Sequence, residues 1–295
     1  GWPTLFTFVD KDYSEDYRIR FVRSHGANQI RCRPIEWYHG KLRHRLGFRL
    51  LKRIFDRLVA YSFGPFFLIR NHIDVVANEW SGPFGRERAE YFLRAAGFLR
   101  LPVYSLPHGY FLWKNPLFNK EVAKIYRSSG RYPDFSNRDW FTRYVIQSPE
   151  HRKANVEYGM ASSKLTELGS PRFCKEWSTI NYRLLCDNDG LNGNDLFTIL
   201  FFLPHWDYNV HRGECISLLE KISALKGVQL EVKAHTRGNG ALNSKEKERL
   251  SVRSNVILPD EETHSTLLIN SADVVVNFGS SVAFEALRQG KPVIN

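Results

Sequence analysis

The stretch Asn270–Asn295, NSADVVVNFGSSVAFEALRQGKPVIN, decides the fold. Asp273–Phe278 is a short apolar run rich in β-branched residues, the pattern of a strand buried on both faces. It stops at Gly279-Ser280-Ser281. Val282–Gln289 then has helical spacing, with Val282, Phe284 and Ala286-Leu287 for packing and Arg288 near its end. Gly290 can close that helix in the left-handed conformation. Pro292-Val293-Ile294 opens a further strand. A strand, a small-residue turn and a helix put backbone N–H groups and two hydroxyls at the positive end of a helix, which suits an anion. Glu285, one turn in, can accept hydrogen bonds from a ribose or a sugar. The same pattern also serves an ordinary βαβ unit whose small residues only allow tight packing.

Working outward, strands and helices alternate regularly through the last hundred residues. Strands are expected at Phe197–Leu203, Val228–Ala234 and Val256–Leu258. Helices are expected at Arg212–Leu225, Ser244–Val252 and Thr266–Ser271. Such alternation implies a parallel sheet covered on both faces. Asn181–Asp195, polar and rich in Gly and Asn, reads as a linker. Upstream of it, Ile73–Ala77, Pro102–Leu106 and Tyr144–Gln147 read as strands, and Arg86–Ala96 and His151–Tyr158 as helices. The expectation is therefore an α/β chain of two units, 1–180 and 196–295, joined by 181–195. Leu5–Val9 and Arg18–Val22 read as short strands.

Ligands of parallel sheets bind beyond the carboxyl ends of the strands. The polar residues there are His108, His205, His235 with Arg237, and Ser280 with Ser281. Glu79 also follows a strand.

Lys41–Ser62 reads as a helix with Leu42, Leu46, Leu50, Ile54 and Leu58 recurring every four residues. Arg43, Arg45, Arg49, Lys52, Arg53 and Arg57 fall on its other face. A basic amphipathic helix either lies on an anionic membrane or buries its stripe in a domain core.

The chain has 295 residues and a formal charge of +11. The charge is uneven: residues 1–150 hold 25 Lys/Arg against 14 Asp/Glu, and residues 151–295 hold 17 of each. An anionic partner for the first half is implied, whether a phospholipid surface, a polyanionic polymer or nucleic acid. No RNA-binding, zinc-finger or basic-zipper pattern supports nucleic acid. No apolar run approaches the roughly 20 residues that span a bilayer. Cys32, Cys174, Cys186 and Cys215 form no CxxC pair, which speaks against a zinc site or disulfide scaffold and suits a reducing compartment. The abrupt start at Gly1-Trp2-Pro3 and the strand-like end suggest a chain trimmed at both ends.

Taken together, Ser271–Ile294 resembles the nucleotide-binding segment of GT-B glycosyltransferases. It is most similar to the capsule-polysaccharide and teichoic-acid branch, which includes the CDP-glycerol glycerophosphotransferases. SLPHGYFLWK (Ser105–Lys114), GSPRF (Gly169–Phe173) and VKAHTR (Val232–Arg237) resemble further segments of that branch, in the right order. The chain departs from it at His235-Thr236, where the branch often has His-Pro, and at Asn277-Phe278-Gly279, where it often has Asp-Tyr before the serines.

The resemblance implies a GT-B-like fold: two Rossmann-like parallel-sheet domains facing a cleft, the acceptor side N-terminal and the nucleotide-donor side C-terminal. It implies a transferase without metal or cofactor. Such an enzyme would move a sugar or polyol phosphate from a UDP-, CDP- or CMP-linked donor to a surface polysaccharide or lipid-linked acceptor. Its place would be the bacterial cytoplasm, on the inner face of the membrane. Helix N-termini and basic side chains would hold the leaving diphosphate. Ser280, Ser281, His235, Arg237 and His205 would line the donor site, with Glu285 on sugar hydroxyls. His108 would be the general base, with Glu79 the second candidate. Lys114 and Arg172 would meet phosphate or an anionic acceptor. A non-hydrolysing nucleotide-sugar 2-epimerase is the alternative, since it shares the two-domain architecture and a Gly/Ser turn followed by Glu. A non-enzymatic module that binds anionic surfaces is the second alternative.

Overall fold

The computed structural model describes residues 5–6, 17–79, 86–107, 120–130, 141–186, 196–206, 210–235 and 240–295. The chain forms two compact units. The first comprises Gly1–His108 with Asp134–Leu168, and the second Gly109–Pro133 with Gly169–Asn295.

The first unit opens with β1 (Leu5–Phe6), α1 (Tyr17–Ser24), β2 (Asn28–Gln29), α2 (Arg33–Trp37) and α3 (Arg49–Arg70). β3 (Val76–Glu79), α4 (Arg86–Phe98) and β4 (Val103–Leu106) follow. After α5 (Lys120–Ser129), which lies in the second unit, come β5 (Arg143–Ile146), α6 (Pro149–Glu157) and β6 (Leu165–Glu167). β3, β4, β5 and β6 make one parallel sheet in chain order. α3 packs on α4 through a close approach: a Cβ on Gly64 would lie 2.6 Å from the Cβ of Ala95. Phe67 and Phe92 meet beside it at 5.3 Å between ring centres.

Two expectations are corrected in this unit. Arg18–Val22 is helical, within α1, not a strand. A run of alternating basic and apolar residues this short carries no length signal to separate the two periods. The expected helix Lys41–Ser62 begins instead at Arg49 and runs on through Pro65 to Arg70. Its first turns are a π turn at Tyr38–Leu42 and a 3-10 turn at Arg43–Arg45, and the chain is extended at Phe48.

The second unit holds α7 (Lys175–Cys186), β7 (Phe197–Phe202), α8 (Arg212–Ser223), β8 (Val228–Lys233), α9 (Ser244–Ser251), β9 (Val256–Ile257), α10 (Ser265–Ser271), β10 (Val274–Val276), α11 (Val282–Arg288) and β11 (Val293–Ile294). Its five strands are all parallel, in the order β11-β10-β7-β8-β9. One face packs Phe201, Leu230, Val232 and Val276 against Ile216, Leu219 and Leu250 of α8 and α9. The other packs Leu200, Phe202 and Val275 against Leu268, Ile269, Val282 and Ala286 of α10 and α11. Each large side chain so buried contributes about 1.5–3 kcal/mol. The continuous apolar strands expected from the sequence follow from this double burial.

The expected linker is also displaced. Asn181–Cys186 is the last part of α7, and 187–195 lie outside the described residues. Asn181 is buried and donates to Thr266 Oγ1 at 2.9 Å, and Tyr182 OH accepts from Asn270 Nδ2 at 3.0 Å. Polar residues that looked like loop are the seam between α7 and α10. The compact units accordingly divide at Leu168/Gly169 rather than across 181–195.

Candidate functional site

In the second unit the chain lays down β7, β8 and β9 in one direction, then returns to place β10 and β11 on the other side of β7. The strand order therefore reverses between β7 and β10. In open parallel sheets the ligand crevice opens beyond the carboxyl ends at such a reversal. Three of the expected groups stand on that edge: His205 after β7, His235 after β8 and Gly279–Ser281 after β10.

The two imidazoles meet edge to face, with ring centres 5.4 Å apart. His235 is held from behind. Its N–H donates to the carbonyl of Gly240 at 3.0 Å, and a Cβ on Gly240 would lie 2.2 Å from that of His235. Only glycine lets the returning chain come so close. Beyond His205, Trp206 donates through Nε1 to the carbonyl of Ala241 at 2.9 Å. Arg212 stacks over its ring at 4.8 Å and forks onto Glu246.

The turn after β10 is built by side-chain amides. Buried Asn277 donates through Nδ2 to the carbonyl of Ser280 at 3.0 Å and to Asn295 Oδ1 at 3.2 Å. The same Asn295 oxygen accepts the N–H of Gly279 at 2.9 Å. Gly279 has φ +64°, which glycine adopts without strain. The N–H of Val282 reaches Ser280 Oγ at 3.4 Å. Ser281 caps α11 by position but not through its side chain. The amides of Ser280 and Ser281 donate to no group among the described residues.

One turn into α11, Glu285 forms an ion pair with Arg172 Nε. Its side chain is only 15% exposed, and burial raises its pKa while Arg172 opposes the rise. Arg172 sits on the 3-10 turn Pro171–Phe173, whose Phe173 ring lies 5.5 Å from that of Phe284. Arg172 therefore belongs to the second unit beside Glu285, not to an N-terminal acceptor domain. The pair was not visible in the sequence, because its members lie 113 residues apart.

Two further polar groups near this edge escaped the sequence reading. Lys233 is fully buried and donates through Nζ to the carbonyls of Asp260 and Glu261 at 2.6 and 2.9 Å. It straps the chain before α10 to the end of β8, and burial lowers its pKa. Glu231, two residues earlier, accepts from Gln229 Nε2 at 3.0 Å. Its Oε2 is buried without a hydrogen bond among the described residues, and burial raises its pKa. The signal was visible: Gln229, Glu231 and Lys233 alternate through an otherwise apolar strand.

His108, Lys114 and Arg237 lie outside the described residues. Glu79 ends β3 in the first unit. Among the described residues no three His, Cys, Asp or Glu side chains are grouped to hold a metal ion.

No protein-family model and no curated protein sequence matches the chain. Solved structures do resemble it. The UDP-GlcNAc 2-epimerase of Methanocaldococcus jannaschii aligns over 99% of this chain and 75% of its own, with 12% identity and a TM-score of 0.59. The UDP-GlcNAc 2-epimerase of Neisseria meningitidis, solved with UDP-GlcNAc bound, aligns over 84% of this chain and 65% of its own, with 15% identity and a TM-score of 0.52. At such identity the likeness is one of fold. The chain has the GT-B-like α/β architecture expected from its sequence, with a parallel sheet in each unit.

Proposed function

We propose that this chain binds a nucleoside-diphosphate sugar at the carboxyl edge of its second sheet and inverts a carbon of the sugar ring, as a non-hydrolysing nucleotide-sugar 2-epimerase. The observation that carries this is the fold likeness to a UDP-GlcNAc 2-epimerase through 99% of the chain. That support favours the epimerase over the transfer reaction that the sequence motifs had put first. The teichoic-acid branch has no comparable structural support.

In this reading the Ser280 and Ser281 amides and hydroxyls take the diphosphate, with His235 beside them. On these donors the fixed N–H dipoles of the turn and the helix N-terminus act as the counter-charge to a phosphate without a metal. Glu285 accepts hydrogen bonds from the ribose hydroxyls, and Arg172 opposes the rise in its pKa that burial causes. Inversion at C2 takes the proton from one face of the ring while the C–H electron pair forms a C1–C2 double bond and the C1–O bond to the diphosphate breaks. The diphosphate, held in the site, then adds back at C1 as a proton is delivered to the other face of C2, so the step needs groups that move protons on both faces. His205, which follows β7 at the strand reversal, is the one we assign to that chemistry first; His235 packs against it edge to face from the same side and so cannot serve the opposite face.

The test is incubation with UDP-GlcNAc and no acceptor, followed by proton NMR. Appearance of the C2 epimer with the nucleotide still attached supports the proposal. A nucleotide sugar that stays unchanged alone, but releases UDP when a polysaccharide or lipid-linked acceptor is added, overturns it in favour of transfer. That second reading rests on the basic first half of the chain, which suits an anionic acceptor.

A further inference from the structure

α3 is turned inside out relative to its amphipathic pattern. Leu50, Ile54 and Leu58, the four-residue stripe of the sequence, are 68%, 45% and 55% exposed. Leu51 and Phe55 lie exposed beside them, and Phe48, Tyr61, Phe66 and Ile69 extend the surface to both ends. The inward face carries a charge instead. Asp56 accepts hydrogen bonds from Tyr38 OH and Tyr91 OH at 2.9 Å each, and from Arg43 Nε at 3.1 Å. The apolar residues that α3 buries are a different set, among them Val59, Ala60, Phe67 and Leu68.

Single exposed leucines are ordinary, but a contiguous apolar face marks a place where something docks. The charge around this face narrows the partner. From Trp37 to Ile73 there are eight Lys/Arg and a single acid, Asp56, which is committed inward. Arg53 and Arg57 are exposed on the flank of the stripe, and Arg45 is exposed just before the helix.

We propose that the outer face of α3 docks onto an anionic phospholipid bilayer. The helix lies in the plane of the interface, with Leu50, Ile54, Phe55 and Leu58 entering the acyl boundary. Arg53 and Arg57 rest among the headgroups. No helix of the described residues is long and apolar enough to cross a membrane, so a surface-parallel pose is the one this helix can take. A second copy of the chain fits less well. A two-fold contact would bring the same arginine-flanked face against itself, with no acid to neutralise it. The proposal does not depend on the nucleotide-sugar reading, which concerns the other unit.

The test is co-sedimentation of the full chain with vesicles of phosphatidylcholine alone or mixed with phosphatidylglycerol. Binding to the mixed vesicles that weakens with added salt, with little binding to phosphatidylcholine, is expected. Ile54→Ser/Leu58→Ser and Arg53→Glu/Arg57→Glu should each lower the bound fraction about tenfold, since each removes interfacial apolar area or charge. Both double variants should keep the parent's melting temperature, because the altered side chains are exposed. Three results would overturn the proposal. One is a wild-type chain that ignores anionic vesicles. Another is a dimer by light scattering that Ile54→Ser/Leu58→Ser makes monomeric, with no vesicle binding. The third is a marked loss of stability in both variants, which would mean the face is buried in solution.

Discussion

Arg172 and Glu285 form an ion pair across 113 residues of sequence, tying the turn before α7 to the first turns of α11. The acid is the more buried partner, and burial raises its pKa while the arginine pulls it down. Arg172→Ala leaves a buried carboxyl without its cation and lifts its folded-state pKa further. Stability linked to a raised carboxyl is present at low pH and lost as pH rises through the folded value. The variant should therefore lose about 1 kcal/mol at pH 7, the low end for an unpaired buried group because Arg172 is half exposed. At acid pH it should lose less. Urea unfolding at both pH values measures this, and a loss equal at the two would rule out the linkage.

Glu231 gives a second pH prediction. Its carboxyl is buried, one oxygen has no hydrogen bond among the described residues, and its pKa is raised by burial despite the Gln229 bond. In the unfolded chain it ionises near pH 4.3. Above that value the unfolded state has already released a proton that the folded state holds, so stability falls as pH rises through the raised folded value. Glu231→Gln should remove that loss and be more stable than the parent at pH 8. A less stable variant at pH 8 would mean that the carboxylate is ionised and held in place.

The room behind His235 is filled by backbone. Gly240→Ala sets a Cβ 2.2 Å from the His235 Cβ, and neither belongs to a flexible tip, so the strand end or the returning chain must move. If His235 faces the nucleotide, Gly240→Ala should weaken UDP binding about as much as His235→Ala does, roughly tenfold or more for a lost charge-assisted contact. Isothermal titration of both variants decides the point. Wild-type affinity in Gly240→Ala would remove His235 from the site.

Gly64 makes the corresponding close approach in the first unit, against Ala95 of α4. Overpacking a fitted helix contact costs about 1–3 kcal/mol. Gly64→Ala should lose that much in denaturant unfolding, even though alanine is the better helix former. A gain in stability would show that the two helices can separate freely.

The order of elements in the second unit was legible in the sequence because parallel strands buried on both faces leave unbroken apolar runs, as in Phe197–Phe202 and Val274–Val276. The carboxyl-edge rule then picked out His205, His235, Ser280 and Ser281 without any three-dimensional information. Arg172, Lys233 and Asn295 were not legible as partners. Arg172 meets a side chain far along the chain. Lys233 and Asn295 serve backbone groups of distant turns, and no residue type announces which carbonyl or amide it will meet.

The sequence by itself determined the α/β alternation, the Gly-Ser-Ser turn ahead of a helix and the concentration of charge in the first half. These are local or additive properties, set by periodicity and composition. Only the tertiary structure decided which face of α3 looks outward. A helical stripe is the same stripe whether buried or exposed. On the inward face Asp56 meets three donors, Tyr38, Arg43 and Tyr91, which are brought together only when α3 packs against α4 and the turns before it. Those donors offset the cost of half-burying the carboxylate, and nothing in the local spacing of the sequence announces them.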